Sequence, residues 1–278
     1  MSSDPQSLAL QAPAKLNLGL AILGKRPDGF HNLVSVFHTV SLCDDIVLTL
    51  RGSGISMRCE APGVPEGPDN LAWKAAELVK SQFAVSSGVH IDLRKRIASG
   101  AGLGGGSSDA ATVVKGLLRL WRIDAPHDLI HELCARLGSD VPFFLTGGTA
   151  LVEGRGERVT PIETDEKITF LIAMPPVHVA TGWAYGQLPR PLPSADEYVE
   201  RIALLQRGKL SLADFCRELP NSFQPVIEAH HPRVADVTHD RDLQPLQPPL
   251  PLPNRVQIQQ SLRRMLVLPV PRVDHATA

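Results

Sequence analysis

The sequence predicts a mixed fold of β-strands and α-helices arranged in two compact domains. Three observations carry that expectation. The chain has 278 residues, and about 150 residues is an ordinary domain size. Apolar residues alternate with small or polar ones near the start of the chain and again around His90, the period of a half-buried strand. Apolar stripes at helical spacing follow in several later segments. The composition, 43% hydrophobic and 21% charged, is that of an ordinary globular protein.

The elements can be read in order. Leu16, Leu18, Leu20 and Ile22 alternate with small or polar residues, so Lys15 and Asn17 share the opposite strand face. Asp28-Gly29 marks a turn, and Leu33 to Leu42 and Asp45 to Leu50 read as two further strands. Asp69 is placed to cap a helix carrying Leu71, Ala75, Leu78, Val79 and Phe83. Val89 to Arg94 is again a strand. A glycine-rich segment follows, and then a helix with Ala110, Val113, Val114, Leu117, Leu118 and Trp121 on one face. Pro126 opens a helix that Gly138 closes. Short strands are expected near Ala150–Val152, Arg158–Pro161 and Ile168–Ala173, and the polar stretch Pro161–Lys167 reads as a domain boundary. No glycine occurs in the 70 residues after Gly208, and seven prolines fall in the 29 residues Gln244–Arg272. Residues 238–278 therefore read as a proline-rich, poorly ordered tail.

Several classes are disfavoured. Lys+Arg 28 against Asp+Glu 29 gives a net charge of −1, without the basic field of a nucleic-acid coater. No apolar stretch is long enough to span a bilayer, and Met1 to Leu10 has no secretory pattern. The four cysteines, Cys43, Cys59, Cys134 and Cys216, show neither metal-knuckle nor disulfide spacing. A reduced, cytoplasmic protein with no nucleic-acid or membrane partner is expected.

The segment Ala98-Ser99-Gly100-Ala101-Gly102-Leu103-Gly104-Gly105-Gly106-Ser107-Ser108 carries the strongest chemical signal. Glycine lets backbone amides approach oxyanions that side chains would obstruct, and the start of the next helix favours negative charge. Ser107 and Ser108 could cap that helix or bond phosphate oxygens. A flexible linker is the bland alternative, but a linker has no reason to stand between a strand and a capped helix. The segment also matches a dinucleotide fingerprint. Against that, its strand is charged and alternating rather than wholly apolar. A Walker loop is excluded separately, since no Lys-Ser or Lys-Thr closes the glycines.

Asp140, in Leu137-Gly138-Ser139-Asp140-Val141-Pro142-Phe143, is either a turn aspartate or a partly desolvated base. Lys15 taken alone is equally ambiguous, since a lysine on a strand face is usually solvated. His31, beside Phe30 after the Asp28-Gly29 turn, suits a pocket that stacks and hydrogen-bonds a base. His38, His90, His127 and His131 have no metal-ligand spacing and read as structural or surface residues.

Pro13-Ala14-Lys15-Leu16-Asn17-Leu18, Arg26-Pro27-Asp28-Gly29-Phe30-His31, Gly102 to Ala110 and Leu137 to Phe143 occur in this order. Together they resemble the 4-diphosphocytidyl-2-C-methyl-D-erythritol kinase family of the GHMP kinase superfamily, over about residues 8 to 237. The resemblance implies a two-domain α+β fold with the active site in the cleft between domains: residues 1–160 as the ATP-binding domain, residues 161–237 as a partial second domain. It implies ATP-dependent phosphorylation of the 2-hydroxyl of 4-diphosphocytidyl-2-C-methyl-D-erythritol, with Mg²⁺, in non-mevalonate isoprenoid precursor synthesis.

By the same resemblance Asp140 takes the hydroxyl proton and Lys15 holds it ionised. Residues 98–108 bind the ATP phosphates, His31 reads the cytosine edge, Phe30 and Tyr185 sandwich the base, and Asn17 and Thr181 line the substrate. The family's late Gly-Ser-Gly segment is not found after Gly208, so the second domain is expected to be incomplete or atypical, with a replaced or frame-shifted end. Two alternatives stand beside this reading: a GHMP kinase for another alcohol, such as homoserine or mevalonate, and a nucleotide-binding relative impaired in catalysis.

Overall fold

The computed structural model describes residues 6–173, 179, 181–189, 192, 196–218, 221–239 and 263–264. Strands β1 (Ser7–Lys25), β2 (His31–Arg51) and β3 (Ile55–Cys59) lead into helix α1 (Leu71–Gln82). Strand β4 (Gly88–Arg94) and helices α2 (Gly105–Leu120), α3 (His127–Leu137) and α4 (Phe143–Thr146) follow. Strands β5 (Thr149–Gly154), β6 (Arg158–Ile162) and the short β7 (Phe170–Leu171) come next. The remaining helices are α5 (Thr181–Gly186), α6 (Asp196–Gln206), α7 (Leu212–Glu218), α8 (Gln224–His230) and α9 (Pro232–His239). The architecture is mixed α+β, as the sequence predicts.

One long strand organises the sheet. β2 pairs antiparallel with β1 along its length, with β5 through Leu33–His38 and with β4 through Asp45–Arg51. The sequence reads this strand as two, Leu33–Leu42 and Asp45–Leu50, with Cys43 and Asp44 between them. The chain stays extended because Asp44, fully buried, is paired inside the protein: its carboxylate accepts from the amides of Arg96 (2.5 Å) and Ile97 (2.8 Å) and from Lys95 Nζ (2.5 Å). A buried carboxylate with three donors does not break a strand.

β1 departs from simple alternation. Register shifts fall between Pro13 and Lys15 and between Asn17 and Leu20, and each bulge re-aims the side chains beyond it. Leu16 and Leu18 enter one buried cluster with Val36, Tyr198 and Phe215, whereas Leu20 and Ile22 enter the other with Phe37 and Phe223. The expected half-buried strand is thus covered on both sides, and Lys15 (1% exposed) and Asn17 (9%) lie inside. Both clusters combine residues before and after the Pro161–Lys167 stretch.

Two helix starts differ from expectation. Asn70, not Asp69, caps α1, its side chain accepting from Ala72 N at 2.9 Å. α2 begins at Gly105, so Ser107 and Ser108 lie within its first turn and do not cap it. Gly138 does follow α3, donating to Cys134 O. Among the described residues no helix is long and apolar enough to cross a membrane. The tail expected over residues 238–278 lies mostly outside the described residues; within it Arg263–Arg264 pairs with β7.

Candidate active site

The glycine segment leaves β4 and runs exposed through Ala98, Ser99 and Gly100 before turning inward at Leu103. The first intrahelical bond of α2 joins Ser108 N to Gly104 O (2.9 Å). The amides of Gly105, Gly106 and Ser107 precede it and are directed out of the helix start, where they favour an anion. Gly104 shows why the position is glycine. Its φ is +70°, and a Cβ there would lie 2.9 Å from both Lys15 Cγ and Phe144 Cζ.

That contact seats Lys15 directly beside the cradle, and Lys15 N also donates to Leu103 O at 2.9 Å. The ammonium lies 3.5 Å from Asp140 Oδ2, donates to Asn17 Oδ1 at 2.5 Å and stands 4.3 Å over the Phe37 ring. Asn17 in turn donates to Ser35 Oγ (3.2 Å), which donates to Gly19 O (2.5 Å). Burial pulls the Lys15 pKa below the usual lysine value, and the Asp140 charge opposes that pull. Asp140 occupies the turn between α3 and α4, its side chain 32% exposed. The structure therefore brings Lys15, Asn17, Asp140 and the glycine cradle together.

A second group forms where β1 turns into β2. His31 stacks on Tyr185, centroids 4.7 Å apart and planes at 22°, and Tyr185 meets Phe223 edge-on at 4.9 Å. Burial, aided by the Asp140 charge, pushes the Tyr185 phenol up to about 12, so it remains a hydrogen-bond donor. Phe30 is held by its turn, its N–H donating to Asp28 Oδ1 (3.1 Å), while the Arg155 guanidinium lies 5.2 Å over its ring. Thr181 opens α5, but its side chain lies outside the described residues.

Sequence reasoning missed a buried ion triad under the cradle. Lys95 Nζ bridges Asp44 (2.5 Å) and Asp109 (2.6 Å). It ties the strand entering the glycine segment to the helix leaving it. Burial pushes the Asp109 carboxyl up to about 7, against the attraction of Lys95 and with the repulsion of Asp44. Burial opposes the Lys95 charge, yet the two carboxylates together outweigh it and raise its pKa. Lys95 and Asp109 flank the glycine segment and could have been suspected; Asp44 lies 51 residues from Lys95 and carried no signal. Ser108 Oγ, Asp109 Oδ1 and Thr112 Oγ1 are buried beside the triad without a hydrogen-bond partner among the described residues.

Of the histidines read as structural, His38 pairs with Thr149 Oγ1 and His90 with Ser56 Oγ, both at 2.8 Å. Among the described residues no three His, Cys, Asp or Glu side chains converge to hold a metal ion.

Residues 70–148 match the family model described as the GHMP kinases N terminal domain. The chain is 39% identical over 233 residues to a 4-diphosphocytidyl-2-C-methyl-D-erythritol kinase of Citrifermentans bemidjiense, covering 84% of this chain and 81% of that one. It superposes on a crystal structure of 4-(cytidine 5'-diphospho)-2C-methyl-D-erythritol kinase with a TM-score of 0.66 and 33% identity, covering 83% and 81% of the two chains. A homoserine kinase from Cytophaga hutchinsonii superposes with a TM-score of 0.61 at 17% identity over 85% and 79% of the two chains, a likeness of fold alone.

Proposed function

The chain belongs to the 4-diphosphocytidyl-2-C-methyl-D-erythritol kinase family, and from that premise we propose that it moves the γ-phosphoryl group of ATP onto the 2-hydroxyl of 4-diphosphocytidyl-2-C-methyl-D-erythritol. The observation that supports this most strongly is the placement of Lys15 and Asp140 3.5 Å apart beside the Leu103–Gly104 cradle.

In this reading the α2 amides and the glycine segment hold the ATP phosphates. Phosphoryl transfer rests mainly on positioning and charge neutralisation. Asp140 accepts the proton of the substrate hydroxyl, whose oxygen forms the new bond to phosphorus as the bond to the leaving ADP oxygen breaks. Lys15 meets the charge developing on the transferred group. Asn17 orients Lys15. Mg²⁺ carried on the ATP phosphates would add to that charge neutralisation.

Phe30, His31 and Tyr185 form the cytidyl end of the site. Stacking on an aromatic ring tolerates every base, so discrimination for cytosine falls to the His31 ring nitrogens. His31 lies ring-on-ring against Tyr185, so a base that stacks on that face of Tyr185 displaces the imidazole, whose ring nitrogens then meet the base edge. Thr181 belongs to the same proposal through its place at the start of α5. Action in the cytoplasm fits a soluble nucleotide-linked substrate.

The test is a substrate panel. The full chain, ATP and Mg²⁺ are incubated separately with 4-diphosphocytidyl-2-C-methyl-D-erythritol, homoserine and mevalonate, and the products are identified by mass. Phosphorylation of the cytidyl substrate with the highest kcat/KM is expected. A higher kcat/KM for homoserine or mevalonate would overturn the proposal.

A further inference from the structure

We propose that Arg155 is an anion-binding residue that engages the diphosphate of the cytidyl substrate; the proposal rests on the functional reading above. Arg155 sits in the turn between β5 and β6, and its guanidinium lies 5.2 Å over the Phe30 ring. The next residue touches the opposite end of the site. A Cβ at Gly156 would lie 3.2 Å from Ser139 Cβ and 3.5 Å from Asp140 Oδ1. The Arg155–Gly156 turn therefore touches both Phe30 and Asp140, the residues that in the reading above take the base and the reacting hydroxyl. In the substrate the diphosphate lies between the same two groups.

The backbone of this turn is held by its own carboxylate. Glu157 Oε2 accepts from Arg155 N at 2.7 Å. The same carboxylate fills the space at Gly154, where φ is +74° and a Cβ would meet Glu157 Oε1 at 2.7 Å. A side chain at Gly154 would therefore be both strained and blocked. Arg155 is half-buried; its guanidinium feels the Asp28 carboxylate but joins none of the close ion pairs formed among the described residues. By contrast, nearby Arg26 is occupied by Asp28 (2.9 Å) and Asn32 (3.2 Å). A guanidinium over an aromatic ring keeps its N–H donors available, and its planar fork suits phosphate oxygens.

The experiment compares cytidine with cytidine diphosphate by calorimetric titration of the full parental chain, Arg155→Ala and Arg155→Lys. We expect Arg155→Ala to weaken cytidine diphosphate by about tenfold or more, the effect of losing a charge-assisted hydrogen bond, while cytidine changes by less than about twofold. Arg155→Lys should recover part of the loss, because it keeps the charge. An equal loss for both ligands in Arg155→Ala would mean that Arg155 only supports Phe30, and no loss for either would mean that it does nothing; both results overturn the proposal. If the parental chain binds neither ligand, the cytidyl reading itself fails and takes this inference with it.

Discussion

Lys15 and Asp140 meet across 3.5 Å from opposite sides of the solvent boundary, the lysine side chain 1% exposed and the aspartate 32%. The ammonium is fixed by the sheet, while the carboxylate is open to a substrate. A buried ammonium with one half-open counter-charge is a costly arrangement. Lys15→Met, of similar length and no charge, is therefore expected to abolish activity while leaving the thermal midpoint equal to or above the parental one. A midpoint several degrees lower would show that the ion pair stabilises the fold.

Gly104→Ala tests the contact between the cradle and Lys15. The left-handed backbone alone disfavours alanine by about 1 kcal/mol, and the added carbon would press on Lys15 and Phe144. The variant should melt lower and show a raised KM for ATP, measured by ADP release. A parental KM would mean that the cradle tolerates displacement at its inner end.

Much of this site was legible in the sequence, though unevenly. Lys15 and Asn17 are two apart on one strand, and the glycine segment announces an anion site by composition. The approach of Asp140 to Lys15 was not readable from spacing, since it depends on the turn after α3 meeting a bulged strand from the far end of the domain. Asp44 misled for a different reason: a carboxylate in an apolar run signals a break until its buried donors are known. Helix propensity likewise placed the start of α2 too late, because three consecutive glycines disfavour a helix that tertiary packing nevertheless imposes.

The Asp44–Lys95–Asp109 triad makes stability depend on pH. The folded chain keeps a proton on Asp109 up to about 7, whereas the unfolded chain releases it near 3.8. Stability from this group is therefore present below the unfolded value and is lost as the pH rises through about 7. Asp109→Asn should flatten that fall, so that its midpoint relative to the parental chain improves between about pH 5 and about pH 8.5. Parallel melting curves for the two proteins across that range would contradict the assignment.

In the proposed reading His31 serves the cytidyl substrate and not ATP. His31→Ala should raise KM for the cytidyl substrate by about tenfold, the cost of a hydrogen bond and a stacked partner, with KM for ATP unchanged. Steady-state kinetics in each substrate decides, and an equal rise in both would move His31 out of the base pocket.

The most direct test is turnover by Asp140→Asn at saturating ATP and 4-diphosphocytidyl-2-C-methyl-D-erythritol, followed as ADP release beside a thermal melt. Loss of the proton acceptor predicts a fall of at least about a hundredfold in a protein that still melts cooperatively. A folded Asp140→Asn variant turning over within about threefold of the parental chain would contradict the account, because its reacting alcohol would then need no carboxylate at that position.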